Sequence, residues 1–127
     1  MSTTPEPSAA QRLVGDIAPK LAELTDEVLF GDVWARPELA RRDRSLVTVA
    51  ALVANGSTEQ LVSHLRLAKQ NGLTETELIE AITHLAFYAG WPRAMSAITV
   101  AKRVFAEDQQ QERSRGQQRG IRTARRA

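Results

Sequence analysis

The sequence predicts an all-α protein, a single domain built as a bundle of five or six helices. Alanine and leucine are plentiful and alternating runs of valine, isoleucine and threonine are few, a composition that favours helices over sheet. Apolar residues recur with a period of about 3.6, and the breaks between periodic segments are only a few residues long. Links this short join antiparallel helices that pack side by side. The length of 127 residues fits one domain.

The N-terminal part of the chain contains two short helical segments. Residues 1–8 are polar, include two prolines and are predicted to be a disordered leader. Helical periodicity begins near Ala9, and Pro19 suits the first turn of a second helix because its backbone angle is already fixed for that position. The stretch from Phe30 to Pro37 breaks the pattern, but it is too apolar for a solvated loop, so we expect it to pack down.

Three further helices are marked by their start and stop signals. The first runs from a capping Asp43 to about Ala54 and is apolar nearly all round, which is typical of a buried helix. The sequences S-x-x-Q at 57–60 and T-x-x-E at 74–77 are capping boxes that predict the starts of the next two. Both of these helices are therefore expected to have well-defined first turns.

The last predicted helix begins at Pro92, after a Gly-Trp-Pro turn, and runs to about Glu107. Beyond it the chain is rich in glutamine, arginine and glycine, and residues 109–127 are predicted to be a disordered tail. The predicted organisation is therefore a leader over 1–8, a helical domain over 9–108 and a tail over 109–127.

Composition excludes several classes of function. There is no cysteine, which rules out disulfides, thiolate nucleophiles and dithiol redox motifs. The two histidines lie too far apart in sequence for a helical metal motif, so no metal site is expected.

The net charge of +2 is unevenly distributed, because the tail carries six arginines and one acid. That tail lacks interleaved aromatics, so no specific nucleic-acid binding is expected. No signal pattern or long apolar run is present, which favours a soluble, cytoplasmic protein without membrane association.

A stripe of polar residues on one predicted helix is the best candidate for chemistry. Glu77, Glu80, His84 and Tyr88 share one helix face. A carboxylate one turn before a histidine can orient its ring, and a tyrosine one turn after it can donate a hydrogen bond to a developing oxyanion. An ordinary Glu–His pair beside a satisfied tyrosine is the alternative.

Four other residues are candidates on weaker grounds. His64 lies at the boundary between the apolar and polar faces of its helix, where a bond to a backbone carbonyl is the alternative to a functional role. Arg44 belongs to a cluster with Arg41 and Arg42, one of which could bind a substrate carboxylate as a fork. Trp34 and Trp91 are candidates to line a substrate pocket, with anchoring of the core or an interface as the alternative.

Three segments together resemble the carboxymuconolactone decarboxylase family. They are R-S-L-V-T-x-A-x-L from Arg44, H-L-R-x-A from His64 followed by N-G-L-T, and E-x2-E-x3-H-x3-Y-x-G-x-P from Glu77. The segment from Phe30 to Pro37 is similar to the family's lead-in, and the resemblance covers about residues 12–105 in order and without gaps. After the second histidine the chain departs from the decarboxylase type, reading Trp91-Pro92-Arg93-Ala94-Met95.

The resemblance implies an alkylhydroperoxidase D-like helical fold and a homo-oligomer, a trimer or hexamer. The redox branch of the family carries two cysteines ahead of its histidine, and these fall at Ser57 and Gln60 here, with Ser45 near the place of its glutamate. Because only His64 remains of that set, the resemblance does not carry the peroxidase activity of the redox branch over to this chain.

The decarboxylase branch implies a reaction without a cofactor on an unsaturated lactone that carries a carboxylate, in aromatic compound catabolism. By resemblance, His64 and His84 are candidate acid/base groups with Glu80 beside them, Tyr88 is a hydrogen-bond donor and Arg44 is a carboxylate or oxyanion anchor. The predicted function is therefore a decarboxylase or related lyase on a small ring carboxylic acid. The alternative is a non-catalytic, oligomeric ligand-binding or scaffold protein, and a residual hydroperoxidase is a third.

Overall fold

The chain is described here from a computed structural model, which covers residues 6–126, with side chains through Ile121. The helices are α1 (Ala9–Val14), α2 (Pro19–Glu23), α3 (Arg41–Asn55), α4 (Thr58–Gln70), α5 (Glu75–Ala89) and α6 (Trp91–Arg126). A π-helical segment (Leu24–Phe30) and a 3-10 turn (Val33–Ala35) follow α2. The predicted all-α bundle is confirmed, since no strand occurs among residues 6–126. None of these helices is both long enough and apolar enough to cross a bilayer.

The chain divides into two compact units between Arg41 and Arg42, where the sequence predicted one domain over 9–108. In the first unit, Ser8 caps α1 through a capping box with Gln11, and its hydroxyl also donates to the Asp26 carboxylate at 2.6 Å. Ser8 is therefore part of the folded unit rather than of a leader, and residues 1–5 of the predicted leader lie outside the described residues.

The apolar segment after α2 packs down in part, as expected. Trp34 is buried within the 3-10 turn, and its ring stacks on that of Phe30 with centroids 5.8 Å apart. Phe30 itself remains 41% exposed. The stacking holds the π-helical segment against the turn, because offset aromatic pairs add stabilisation beyond the area they bury.

The second unit has a core formed by α3 to α6. Its largest fully buried side chains are Val49, Val53, Leu61, Leu65, Leu78, Ile82 and Val104. Each buried leucine or isoleucine stabilises the fold by about 1.5–3 kcal/mol relative to an exposed one. Helix α3 differs from its prediction as a buried helix. It buries only the face that carries Ser45, Val49 and Val53, while Val47 on another face is 61% exposed.

Of the two predicted capping boxes, one forms. Thr74 accepts from the Glu77 backbone N–H and Glu77 accepts from the Thr74 N–H, both at 3.0 Å, so α5 starts as predicted. Ser57 makes no side-chain cap, and its ψ of 66° lies outside the extended region that capping requires. The turn there is made instead by Gly56, whose φ of +70° suits glycine.

Helix α6 continues to Arg126, where the sequence predicted a disordered tail over 109–127, and Ala127 lies outside the described residues. Arg66 on α4 donates to Glu107 at 2.8 Å and to Asp108 at 3.2 Å, and Lys69 donates to Asp108 at 3.3 Å. These bonds fix α6 to α4 up to Asp108. Beyond that point glutamine, glutamate and arginine are good helix formers, and extending an existing helix carries no nucleation cost.

Candidate active site

A groove between α3 and α5 brings together polar and apolar side chains of the second unit. It has a volume of about 480 Å³. Its lining residues are Arg42, Leu46 and Ala50 from α3, Leu73 from the turn before α5, and Glu77, Glu80, Ala81, His84 and Leu85 from α5. The apolar members form a floor and the four polar ones a rim, which is the usual composition of a small-molecule site.

His84 is the candidate acid/base group of this groove. It is exposed, and it lines the groove together with Glu80, one turn earlier on α5. No hydrogen bond joins these two side chains. The ring of Tyr88, one turn later, lies 5.0 Å from the His84 ring between centroids. The predicted stripe is therefore present, but Tyr88 itself is 80% exposed and does not line the groove.

Arg42 and Glu77 form an ion pair on the rim, joining α3 to α5. The Arg42 Nη2 group donates to Glu77 Oε2, and Nη1 donates to Asp43 at 3.4 Å. The other Glu77 oxygen accepts the Thr74 backbone N–H of the helix cap. The Thr74 N–H, together with the Thr74 hydroxyl and the Arg42 guanidinium, lowers the pKa of Glu77 below its usual range.

The other predicted substrate-binding residues lie outside the groove. Arg44 is on α3, two residues beyond Arg42, and is not among the lining residues. Trp91, at the start of α6, is 59% exposed and packs edge to face on Phe87 with centroids 5.7 Å apart. Trp34 belongs to the first unit, where it is buried. The structure thus brings together His84 and Glu80 from the predicted set.

His64 occupies a different environment on α4 and does not line the groove. Its side chain is half-buried, and its Nδ1 atom has no solvent exposure. Burial lowers the pKa of His64 because the protonated ring loses hydration. A lower pKa makes the His64 imidazole a weaker base than an exposed histidine.

A sequence profile of the carboxymuconolactone decarboxylase family matches residues 19–103, two thirds of the chain. The chain belongs to the carboxymuconolactone decarboxylase family. The match takes in α2 to α5 and most of the packed part of α6, and so includes every residue that lines the groove.

Curated relatives of this family member include two decarboxylases. A 4-carboxymuconolactone decarboxylase of Acinetobacter baylyi is 46% identical over 78 residues, which cover 61% of this chain and 58% of that protein. A nitrosuccinic acid decarboxylase of Metarhizium robertsii is 40% identical over 81 residues, covering 64% and 57%. An uncharacterised 15.0 kDa protein of Paracoccus denitrificans is 30% identical over 87 residues, covering 67% and 65%. The chain spans less than two thirds of the length of each of these relatives.

Of the three positions at which the resemblance implied redox residues, Ser45 has a structural role here. Ser45 is buried and its hydroxyl accepts a hydrogen bond from the Asn71 side chain at 3.0 Å, which ties the start of α3 to the end of α4. Ser57 and Gln60 stand where the redox branch has cysteines. No cluster of three or more potential metal ligands occurs among the described residues.

Sequence reasoning did not distinguish Arg42 from its neighbours, although a signal for it was present. Arg42, Leu46 and Ala50 follow one another at intervals of one helical turn and all three line the groove. Arg44 lies about half a turn away from that face. Helical spacing relative to the half-buried Leu46 therefore singles out Arg42 from the arginine cluster.

Proposed function

We propose that this protein is a decarboxylase that acts on a small carboxylic acid or lactone, and that the groove of Arg42, Glu77, Glu80 and His84 is its active site. The observation that carries the proposal is the groove itself, in which a histidine and an arginine stand at the rim of an apolar floor. Support comes from relatives whose names specify decarboxylation of carboxymuconolactone and of nitrosuccinic acid.

Decarboxylation requires the protein to stabilise the negative charge that forms on the substrate and to supply a proton. When the bond to the carboxyl carbon breaks, CO2 leaves and its electron pair passes into the rest of the substrate. A conjugated lactone accepts that pair as a dienolate, and a nitro group accepts it as a nitronate. The carbon that lost CO2, or its conjugated partner, then takes a proton, which the imidazolium of His84 can supply and later regain from water.

The apolar floor contributes through the medium it provides. Leu46, Leu73 and Leu85 exclude water from one side of a bound acid. A carboxylate is stabilised by water more than the delocalised anion that follows it, so partial removal of water favours the loss of CO2. Electrostatic interactions with the rim are also stronger beside an apolar floor.

Assembly of several copies is part of the same proposal. Four large apolar or aromatic side chains near the α5–α6 turn are each more than half exposed, and two of them pack edge to face: Phe87, Tyr88, Trp91 and Met95, with Phe87 on Trp91. Exposed aromatic clusters of this kind are typical of interfaces. A second copy on this surface would also shield Tyr88 and the adjoining side of His84.

The decisive experiment measures CO2 release by the purified protein from 4-carboxymuconolactone and, separately, from nitrosuccinic acid. We expect turnover of at least one acid, a loss of about 100-fold or more in His84→Gln, and no such loss in the matched control Thr76→Ala on an exposed face of α5. Absence of turnover with both acids would overturn the proposal in favour of a non-catalytic ligand-binding protein. Full activity in His84→Gln would refute the assignment of the site.

A further inference from the structure

The groove contains one side chain with a permanent positive charge. Arg42 is the only arginine or lysine among its lining residues. The other charged members are the carboxylates of Glu77 and Glu80, which repel an anionic ligand. A small acid that binds in this groove therefore has one favourable partner for its carboxylate.

The guanidinium of Arg42 is held in place from the α5 side. One Glu77 oxygen is fixed by the Thr74 backbone N–H at 3.0 Å, as part of the helix cap, and the other oxygen accepts from Arg42. A carboxylate anchored to a helix start has little freedom to follow a moving arginine. The cap thus sets the position of Glu77, and Glu77 sets the position of Arg42.

The same contacts leave Arg42 able to bind a ligand. A guanidinium has five N–H donors in a planar fork. Glu77 takes one of them and Asp43, at 3.4 Å, takes a second in a long contact. The side chain of Arg42 is 42% exposed, so solvent and ligands can reach it.

We infer that Arg42 anchors a carboxylate or oxyanion of the ligand that is retained through the reaction, and that Glu77 is the residue that positions it. The inference rests on the proposed function in naming which group is held. An arginine bound to the departing carboxylate would stabilise the ground state and lose that contact as neutral CO2 forms, which slows the reaction. An anchor on a second carboxylate, or on the oxygen that gains charge, keeps or strengthens its contact.

The ligand class that follows is a small diacid, or an acid with a carbonyl or nitro oxygen a few bonds from the carboxylate that leaves. The retained anionic group lies at Arg42 while the carbon skeleton lies on Leu46, Leu73 and Leu85. His84, about two turns along α5 from Glu77, is then beside the carbon that receives the proton.

Binding of succinate, a diacid that is not turned over, tests the anchor without any catalysis. Titration calorimetry on the full chain should show that Arg42→Gln weakens succinate at least about 10-fold, with partial recovery in Arg42→Lys, which restores the charge without the fork. The control Arg41→Gln removes an exposed arginine of the same helix and should leave binding unchanged. Wild-type affinity in Arg42→Gln, no detectable succinate binding by the wild type, or a loss confined to Arg44→Gln would each overturn the inference.

The positioning role of Glu77 is separated from its capping role by Glu77→Gln. Glutamine can replace glutamate in a capping box, so this variant keeps the helix start while losing the charge that holds Arg42. We expect several-fold weaker succinate binding at an unchanged melting temperature, because Arg42 is no longer oriented. Tighter succinate binding by Glu77→Gln would contradict a positioning role, because it would mean that Glu77 only competes with the ligand for Arg42.

The two proposals fail in distinguishable ways. With an active enzyme, Arg42→Gln should raise KM for a substrate whose retained carboxylate Arg42 holds, and should also lower kcat for one in which Arg42 holds the oxygen that gains charge, whereas His84→Gln should lower mainly kcat. If succinate binding depends on Arg42 but neither acid is turned over, the decarboxylase proposal fails and the anchoring role of Arg42 stands. If turnover does not depend on Arg42, the anchoring role fails and the decarboxylase proposal stands.

Discussion

The rings of His84 and Tyr88 lie against each other, with centroids 5.0 Å apart and planes inclined by 31°. They are separated by one turn of α5, and His84 lines the groove while Tyr88 does not. We expect this contact to limit the rotation of the imidazole, so that Tyr88 would act on the proposed site through its ring, by keeping His84 towards the groove.

Replacing Tyr88 separates its ring from its hydroxyl. We expect Tyr88→Phe to keep kcat within a few-fold of the wild type, because the ring contact remains, and Tyr88→Ala to lower it by about 10-fold or more, because His84 loses its support. Steady-state rates of CO2 release measure both. An equal loss in the two variants would show instead that the hydroxyl donates to the reacting oxygen, the role first suggested by the sequence.

His64 should make stability depend on pH. Burial lowers its pKa from the ordinary value of 6.5, so below that pH the unfolded chain takes up a proton more readily than the folded one. Above about pH 6.5, His64 should leave the free energy of unfolding unchanged. As the pH drops below that value, the free energy of unfolding should fall. Urea unfolding between pH 7.5 and 5.5 should show a flatter dependence in His64→Gln.

Gly56 is a position at which a single added methyl group should be costly. Its φ of +70° disfavours any other residue, and a Cβ at this position would coincide with the guanidinium of Arg93. Gly56→Ala should cost about 1–2 kcal/mol in the free energy of unfolding, from the backbone conformation alone. Gly116→Ala is the matched control, because a Cβ there meets no atom within 4 Å and the helix gains a better helix former. If Gly56→Ala were neutral, the turn before α4 would have to adopt another conformation.

The apolar surface at the α5–α6 turn should control assembly. Light scattering of the wild type should give a mass several times 14.0 kDa, and the double variant Phe87→Ser, Trp91→Ser should shift it towards one chain. Val47→Ser is the control, since Val47 on α3 is 61% exposed and lies away from that turn in sequence. A monomeric wild type at micromolar concentration would contradict the prediction.

Truncation of α6 should separate its packed part from the rest. A chain that ends at Asp108 keeps the bonds from Arg66 and Lys69, so its melting temperature should match that of the full chain. A chain that ends at Ala106 loses both acidic partners and should be less stable by about 1 kcal/mol or less, the scale of surface ion pairs. A large drop in melting temperature for the chain that ends at Asp108 would show that residues beyond 108 pack on another surface.

The sequence was informative where a local signal decided the structure. The T-x-x-E box before α5 needs only four neighbouring residues, and it forms as predicted. The S-x-x-Q sequence before α4 has the same appearance, but the backbone angles set by Gly56 and Ser57 prevent the cap. The four-residue pattern could not reveal this, because it does not specify the backbone angles at Gly56 and Ser57.

The candidate site was predictable on α5 and less so across helices. His84 and Glu80 were found because they share the face of one helix. The pairing of Arg42 with Glu77 spans 35 positions in the chain, and no local pattern specifies it. The disordered tail was predicted from composition alone. Composition does not show that Arg66 and Lys69 bind Asp108 and so hold α6 in helical form up to that residue. The residues beyond Asp108 then extend a helix that already exists.

The packed part of α6, which ends at Asp108, acts as a nucleus for the helix beyond it. The last part of α6 therefore has a distinct thermodynamic character. From Gln109 to Ile121 the side chains are exposed, so this stretch is stabilised by its own backbone hydrogen bonds. It behaves as a helix–coil system attached to a nucleus, in which each residue adds or loses one bond independently of the core, and Gly116 and Gly120 each cost about 1 kcal/mol relative to alanine. Warming should therefore shorten α6 gradually from its C-terminal end, which circular dichroism would record as a sloping decline in ellipticity well below the cooperative transition of the core.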